Sequence, residues 1–144
     1  LHPMDLKNAL AKEIIKLLNE DITGEIEAIL IYMRNSFVTE NCPPSRKMEE
    51  VAKDEMRHTE WLAELIVDLG GTPSMEHKAL NFGKEGAEGF LTRLVGLEEG
   101  AIAQYKDHVK RIPDEEIKKK LQHILEEEEE HLKDFKEHLE RLKK

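Results

Sequence analysis

Asp54-Glu55-Met56-Arg57-His58 contains a Glu-x-x-His step, and the same step returns at Glu128-Glu129-Glu130-His131. Residues three apart share a helix face, so each step can aim a carboxylate and an imidazole at one point. In a chain of 144 residues with 7 His and 31 acids, about one such spacing arises by chance, so position has to carry the argument. Steps of three and four from Met48 give Met48, Val51, Glu55, His58, Leu62, Leu65, Leu69, an apolar seam interrupted only by the Glu and His. From Ile117 they give Ile117, Leu121, Ile124, Glu128, His131, Phe135, His138, Leu142. A polar pair standing where leucine belongs, twice, marks a candidate site.

The flanking chain supplies two more helices. Asp5 is positioned to cap a helix running to about Val38, with Ile15, Leu18, Ile22, Glu25, Ile29, Tyr32 and Ser36 as its seam. Gly24, costly in a helix interior by about 1 kcal/mol against Ala, reads as relief of crowding near Glu25 or as a tolerated irregularity. Asn41-Cys42-Pro43-Pro44-Ser45 breaks that helix, and Ser45 can cap the next, from about Arg46 to Leu69. Gly70-Gly71-Thr72-Pro73 ends it. The stretch to about Gly86 lacks periodicity; about 16 extended residues reach roughly 50 Å, more than the roughly 36 Å of a 24-residue helix. It suits a crossover that leaves helices two and three parallel. Helix three has the seam Leu91, Leu94, Glu98, Ala101, Tyr105, His108, Ile112, with Glu99 as a rival on a poorer frame. Ile112-Pro113-Asp114 turns the chain into helix four, with Pro113 suited to its first position. The expected fold is all-α, a four-helix bundle in a single domain over residues 1–144, with a long crossover between helices two and three.

Composition bounds the function. Apolar residues make up 39% and charged ones 37%, and the longest apolar run, Ala28 to Met33, cannot span a membrane. Position 1 is Leu and no basic-then-apolar leader follows, so no signal peptide is expected. A net charge of −9 disfavours nucleic acid and anionic lipid surfaces. A single Cys42 forms no internal disulfide and no thiolate metal centre, and a cytoplasmic setting follows as the expectation.

The inward polar set is therefore Glu25, Glu55, His58, Glu98, Glu128 and His131. Four carboxylates at one level of a core need compensating positive charge, which two divalent cations supply in full. Iron, manganese and zinc all suit these ligands, and spacing does not choose among them. Glu126, Glu129 and Glu130 read as a solvated face. Asp54 and Glu127, each preceding a seam Glu, read either as partners for the outer imidazole nitrogens or as surface acids.

The ligand pattern, one Glu from each of two helices and Glu-x-x-His from each of the others, resembles the ferritin-like di-iron carboxylate superfamily. Glu25-Ile26-Glu27-Ala28-Ile29-Leu30-Ile31-Tyr32 is similar to its first-helix signature, and Asp54-Glu55-Met56-Arg57-His58 to the bacterioferritin form of its second. The similarity covers nearly the whole chain and is nearest to bacterioferritins and rubrerythrin-type domains. It implies two irons, with Glu55 and Glu128 bridging, Glu25 and Glu98 terminal, and one histidine per iron. It further implies a redox or hydrogen-bonding role for Tyr32, against the alternative of a core tyrosine, and matches Met56 to the haem-holding residue of bacterioferritin dimers, against an ordinary dimer contact. With thirteen residues after His131, neither the short fifth helix of storage ferritins nor a Cys-rich iron domain is expected. The implied function is a di-iron oxidoreductase of ferroxidase or peroxidase type using O2 or H2O2 with a separate electron-donor protein; the alternative is iron binding or storage without turnover. A second apolar stripe on helix one, Ile14, Leu17, Ile26, Leu30, Met33 and Phe37, predicts a homodimer or larger homo-oligomer.

Overall fold

The computed structural model describes residues 3–144 and consists of four helices: α1 Pro3–Val38, α2 Pro44–Asp68, α3 Ala87–Arg111 and α4 Glu115–Lys143. Side chains of the first six residues lie outside what is described, Asp5 among them, and α1 starts two residues ahead of its expected cap. Among the described residues there is no strand, and no helix is long and apolar enough to cross a membrane.

Two hairpins, α1 with α2 and α3 with α4, pack against each other more sparsely than within themselves. Tyr32 meets Glu98 while Tyr105 meets Glu25, so α1 and α3 are antiparallel. Lys47 meets Asp134 while His58 meets Glu127, so α2 and α4 are antiparallel as well. With each hairpin itself antiparallel, α2 and α3 run parallel, and the connection between them must travel the length of the bundle. It does so over α1. Asn19 accepts from the backbone N–H of Ser74 and donates to the carbonyl of Thr72, whereas Asn35 donates to the carbonyl of Phe82. The crossover starts where α2 stops in a left-handed cap: Gly70 has φ +87°, and the N–H of Gly71 reaches back to the carbonyl of Ile66. A side chain on Gly71 would meet Ile15 at 2.9 Å and would have to displace it, so the crossing passes close to α1 here.

Two expected helix starts shift by local chemistry. Ser45 does not cap α2; the helix begins at Pro44, whose missing N–H and preset φ suit the first position, with Pro43 before it and no side-chain cap. Pro113 is not the first residue of α4. Asp114 takes the cap, its carboxylate accepting from the N–H of Ile117 at 3.0 Å, and leaves the proline outside.

The seams are buried, with drift at their ends. Ile66 replaces Leu65 and Leu69 as the buried residue late in α2, since a 3.6-residue helix drifts from a fixed seam. The second stripe of α1 divides: Ile14 and Leu17 belong to the core, Ile26 and Met33 are half-buried, and Leu30 and Phe37 are exposed. The core itself divides into two apolar clusters. Leu18, Ile22, Leu62, Ile66, Leu121 and Ile124 anchor one, and Ile31, Met48, Leu91, Leu94 and Phe135 the other. Between them lies a layer of acids and imidazoles.

Candidate metal centre

Each residue of that layer is fixed by apolar neighbours one turn away on its own helix, such as Val51 and Leu62 about Glu55 and His58. Glu25, Glu55, His58, Glu98, Glu128 and His131 are all buried, none more than 4% exposed. Glu99 is exposed, so it is Glu98 that α3 turns inward.

The six residues fall into two overlapping groups. Glu25, Glu55, His58 and Glu128 offer ligand atoms within 4.8 Å of one another, and so do Glu55, Glu98, Glu128 and His131. Glu55 and Glu128 stand in both. His58 Nδ1 lies 3.2 Å from Glu55 and 3.4 Å from Glu25, and His131 Nδ1 lies 2.9 Å from Glu128 and 3.3 Å from Glu55. The two imidazoles stack with centroids 6.0 Å apart.

The outer nitrogen of each histidine is held from the opposite helix. His58 Nε2 donates to Glu127 of α4 at 2.8 Å, and His131 Nε2 donates to Asp54 of α2 at 2.8 Å. These bonds fix ring orientation and turn Nδ1 toward the acids. Arg57 donates to both Asp54 and Glu127 and keeps the two outer carboxylates in place. The hydrogen bond from His131 holds the Asp54 carboxyl below its usual range; for Glu127, burial pushes the other way and His58 outweighs it.

Two tyrosines finish the layer crosswise. Tyr32 of α1 donates to Glu98 of α3 at 2.7 Å, and Tyr105 of α3 donates to Glu25 of α1 at 2.6 Å. Burial, then the neighbouring carboxylates, push both phenols well above their ordinary values, so each remains a donor. Each tyrosine occupies one oxygen of its carboxylate. The other oxygen, Oε2 of Glu25 and of Glu98, is buried without a partner, as are Glu55 Oε1, His58 Nδ1 and Glu128 Oε2.

Burial first, then the charges of Glu25 and Glu98, raises the Glu55 carboxyl well above its usual value; burial and Glu55 do the same to Glu128. Burial pulls His58 down, but the hydrogen bond and charge of Glu25 outweigh it and bring it up to about 9. His131 is likewise raised against burial, by Asp54 and Glu128. Glu55, Glu128, His58 and His131 are thus all pushed toward holding protons, and divalent cations answer the same excess of negative charge. The donor set fits two such ions, since carboxylate and imidazole atoms with no protein partner converge from four helices.

Met56 lies outside this cluster, 42% exposed on α2. His138 is buried in α4 away from the layer. His108 is a satisfied core histidine: its Nδ1 donates to Asp21 at 2.9 Å, and Gln104 donates to the other Asp21 oxygen. Burial raises the Asp21 carboxyl to about 6, against the pull of His108. Position offered the only signal, because Asp21 is one turn before Glu25. Gly24 relieves no crowding, since a Cβ there would meet nothing within 4 Å. Trp61, the single tryptophan, lies against His58 at 5.8 Å between ring centroids.

Comparison with known proteins agrees with this geometry. The chain is 32% identical over 117 residues to the 3-demethoxyubiquinol 3-hydroxylase of Pseudomonas paraeruginosa, an alignment covering 78% of this chain and 53% of that protein. It is 27% identical over 118 residues to the enzyme of the same name from Azotobacter vinelandii, covering 75% and 54%. The chain spans about half the length of these curated relatives. Among solved structures, the Desulfovibrio desulfuricans bacterioferritin, described with its diiron site in different catalytic states, superposes with a TM-score of 0.88 at 25% identity, covering 95% of this chain and 84% of that one. A ferritin-like diiron-carboxylate protein of Bacillus anthracis gives 0.83 at 27%, covering 90% and 97%. The ferritin-like domain family matches residues 15–144, and this chain, with its layer of four glutamates and two histidines, belongs to that family.

Proposed function

We propose that the protein is a di-iron oxidoreductase acting on O2 or H2O2. The observation that carries this reading is the pair of four-residue ligand groups sharing Glu55 and Glu128. Glu55 and Glu128 would bridge the two ions, Glu25 and His58 would complete one position, and Glu98 and His131 the other. Bound there, two iron(II) ions would supply electrons to the oxidant. The chain's own work is to hold the geometry. Asp54 and Glu127 aim the imidazoles, while Tyr105 and Tyr32 restrain one oxygen of Glu25 and Glu98 and leave the second free. Tyr32 keeps its proton on the hydroxyl directed at Glu98, where it can serve as a hydrogen donor during oxidation. The two apolar clusters bound the layer on either side along the bundle.

The hydroxylase name of the curated relatives supports oxidant chemistry with an organic substrate, and the diiron titles of the structural relatives support the choice of iron. The test is anaerobic titration with iron(II), followed by exposure to O2 and separately to H2O2, with bound iron and near-ultraviolet absorbance followed together. Two irons per chain that change absorbance on oxidation support the proposal. Metal that binds without redox change points to a metal carrier, and no metal leaves a purely structural bundle.

A further inference from the structure

Asp21 of α1 and His108 of α3 form a rung next to the metal layer. Asp21 stands one turn before Glu25 and His108 three residues after Tyr105, so the Asp21–His108 bond of 2.9 Å neighbours the Tyr105–Glu25 bond of 2.6 Å. Both residues are 1% exposed. A buried, hydrogen-bonded ionisable pair adds little stability over an apolar pair of the same size, and α1 and α3 are already tied by two tyrosines. Holding the helices together does not account for it.

Its surroundings supply a reason. A cavity of about 610 Å³ between α1 and α3 passes from exposed Glu20, Gly96 and Gly100 at its mouth to buried Glu25 in the layer, with Asp21 in its wall. A cavity of that size with polar walls takes up water. Of the described buried residues that line it, Asp21 alone is titratable and neither belongs to the layer nor hydrogen-bonds to it. From the other edge of the pair, His108 Nε2 faces the exposed carboxylate of Glu20 at 3.5 Å. Solvent, Glu20, His108, Asp21 and the cavity thus follow one another without a break.

The chemistry of the site creates the need. O2 that takes up two electrons also takes up two protons and becomes H2O2, and H2O2 that does the same becomes two waters. Metal binding displaces the layer's own protons, and Tyr32 holds a single one on its hydroxyl. The rest must come from a donor outside the layer, and an efficient one titrates near the working pH. Burial raises Asp21 to about 6 against the pull of His108 and Gln104, with the charge of Glu25, one turn on, adding to the rise. Burial pulls His108 down, but Asp21, then Glu20 and Asp107, outweigh it.

We infer that the Asp21–His108 pair passes protons from solvent at Glu20 through the cavity to the metal layer. As a proton enters at His108 Nε2 from the Glu20 side, the Nδ1 proton moves to the Asp21 carboxylate; Asp21 releases it to cavity water, and tautomer exchange of the ring restores Nδ1–H. One proton enters, one leaves and no electron moves. Neither residue touches the oxidant, so both act through the cavity. This rests on the di-iron reading, whose proton supply it describes.

The first measurement needs no metal. Histidine-selective NMR of the metal-free full chain should show the His108 ring changing protonation between about pH 5 and 10, with its midpoint lowered in Asp21→Asn. A ring fixed in one protonation state and one tautomer throughout overturns the inference. The second measurement uses iron-loaded protein oxidised by H2O2 in stopped flow, with a pH indicator counting proton uptake. Asp21→Asn and His108→Ala should each slow oxidation and proton uptake together, by about tenfold or more near neutral pH, at an unchanged iron count and an unchanged half-saturating H2O2 concentration. Added imidazole should restore much of the rate in His108→Ala and leave the unaltered protein as it was, which a purely structural pair would not show. Unslowed oxidation in both variants, or slowing that imidazole does not relieve, overturns the inference. Should a variant fail to fold, the titration of the unaltered chain decides. If iron does not load, the di-iron reading fails on its own, and the same titration still decides whether the pair can hand on a proton.

Discussion

Tyr105 on α3 donates its hydroxyl to Glu25 on α1 at 2.6 Å, and Tyr32 on α1 returns the arrangement to Glu98 on α3 at 2.7 Å. Each tyrosine stands seven residues after the seam glutamate of its own helix, yet serves the glutamate of the other. The sparsely packed α1–α3 pair is thus tied at the acid layer by two reciprocal bonds. Tyr105→Phe removes one donor and leaves a buried carboxylate oxygen short of a partner, a loss of about 1 to 3 kcal/mol. Denaturant unfolding of the metal-free protein should show that loss for either Tyr→Phe variant. The two should differ in kinetics, with iron(II) oxidation slowed about tenfold in Tyr32→Phe at an unchanged metal count. An equal, unslowed rate in both would remove Tyr32 from catalysis and leave it a positioning role.

Shared ligands and private ones predict different mutational outcomes. Glu128 belongs to both ligand groups, whereas Glu25 belongs to one. Glu128→Ala should leave less than one metal ion per chain, and Glu25→Ala about one, against two in the unaltered protein. Elemental analysis after desalting reads this directly. Trp61 against His58 offers an optical readout, since iron bound at His58 should quench the only tryptophan in the chain. Saturation at one ion in the unaltered protein would sink the dinuclear proposal.

Metal should also stabilise the fold, with a marked pH dependence. Without it, the layer holds protons: Glu55 and Glu128 are raised by burial and by neighbouring acids, and His58 is raised to about 9. Metal must displace those protons, so affinity should climb as pH rises from 6 to 8 and level off above about 9. The metal-free protein should behave oppositely. His58 has a folded value above its unfolded 6.5, so its contribution is complete below 6.5 and is lost as pH rises through 9. Zinc at one hundred times its dissociation constant should add about 2.7 kcal/mol at pH 7. Calorimetry in buffers of different ionisation enthalpy counts the released protons, and a pH-independent affinity would count against this account of the layer.

The exposed apolar side chains predict self-association. Leu30 and Phe37 of α1 and Met56 of α2 remain in solvent after Ile14 and Leu17 of the same α1 stripe have entered the core. A dimer covering them is expected in light scattering at micromolar concentration, and Phe37→Glu should return it to monomer. A haem held between two Met56 side chains would show as an absorbance band lost in Met56→Leu. A monomer mass for the unaltered protein refutes the dimer.

What sequence could deliver depended on range. Every seam glutamate and histidine proved buried, because an apolar period of three and four residues is local information and survives in any bundle. The drift to Ile66, the cap at Asp114 and the start at Pro44 follow from local geometry that a fixed step does not track. The pairings were out of reach. Asp54 precedes Glu55 but serves His131, 77 residues away, and Asp21 meets His108 across 87. No period links partners on helices joined by a crossover. The cavity lining at Gly96 and Gly100 was invisible for the same reason, since it exists only where α3 faces α1.

Retention of iron through oxidation separates an enzyme that cycles from a protein that stores. Storage requires iron to leave the centre after oxidation, so at least one position must bind weakly. Here both positions are built alike. Each has its own imidazole, each imidazole is held from behind at 2.8 Å by a carboxylate of the opposite helix, and each outer glutamate is held by a tyrosine. Outer carboxylates of this kind commonly change metal affinity about 10- to 100-fold. Iron loaded at two per chain should therefore remain through oxidation, gel filtration, re-reduction and a second oxidation with little loss. Asp54→Asn and Glu127→Gln should each release one iron preferentially, from the position whose histidine they hold. Hundreds of irons per assembly, or loss of half the iron after one oxidation in the unaltered protein, would show that the centre passes iron onward.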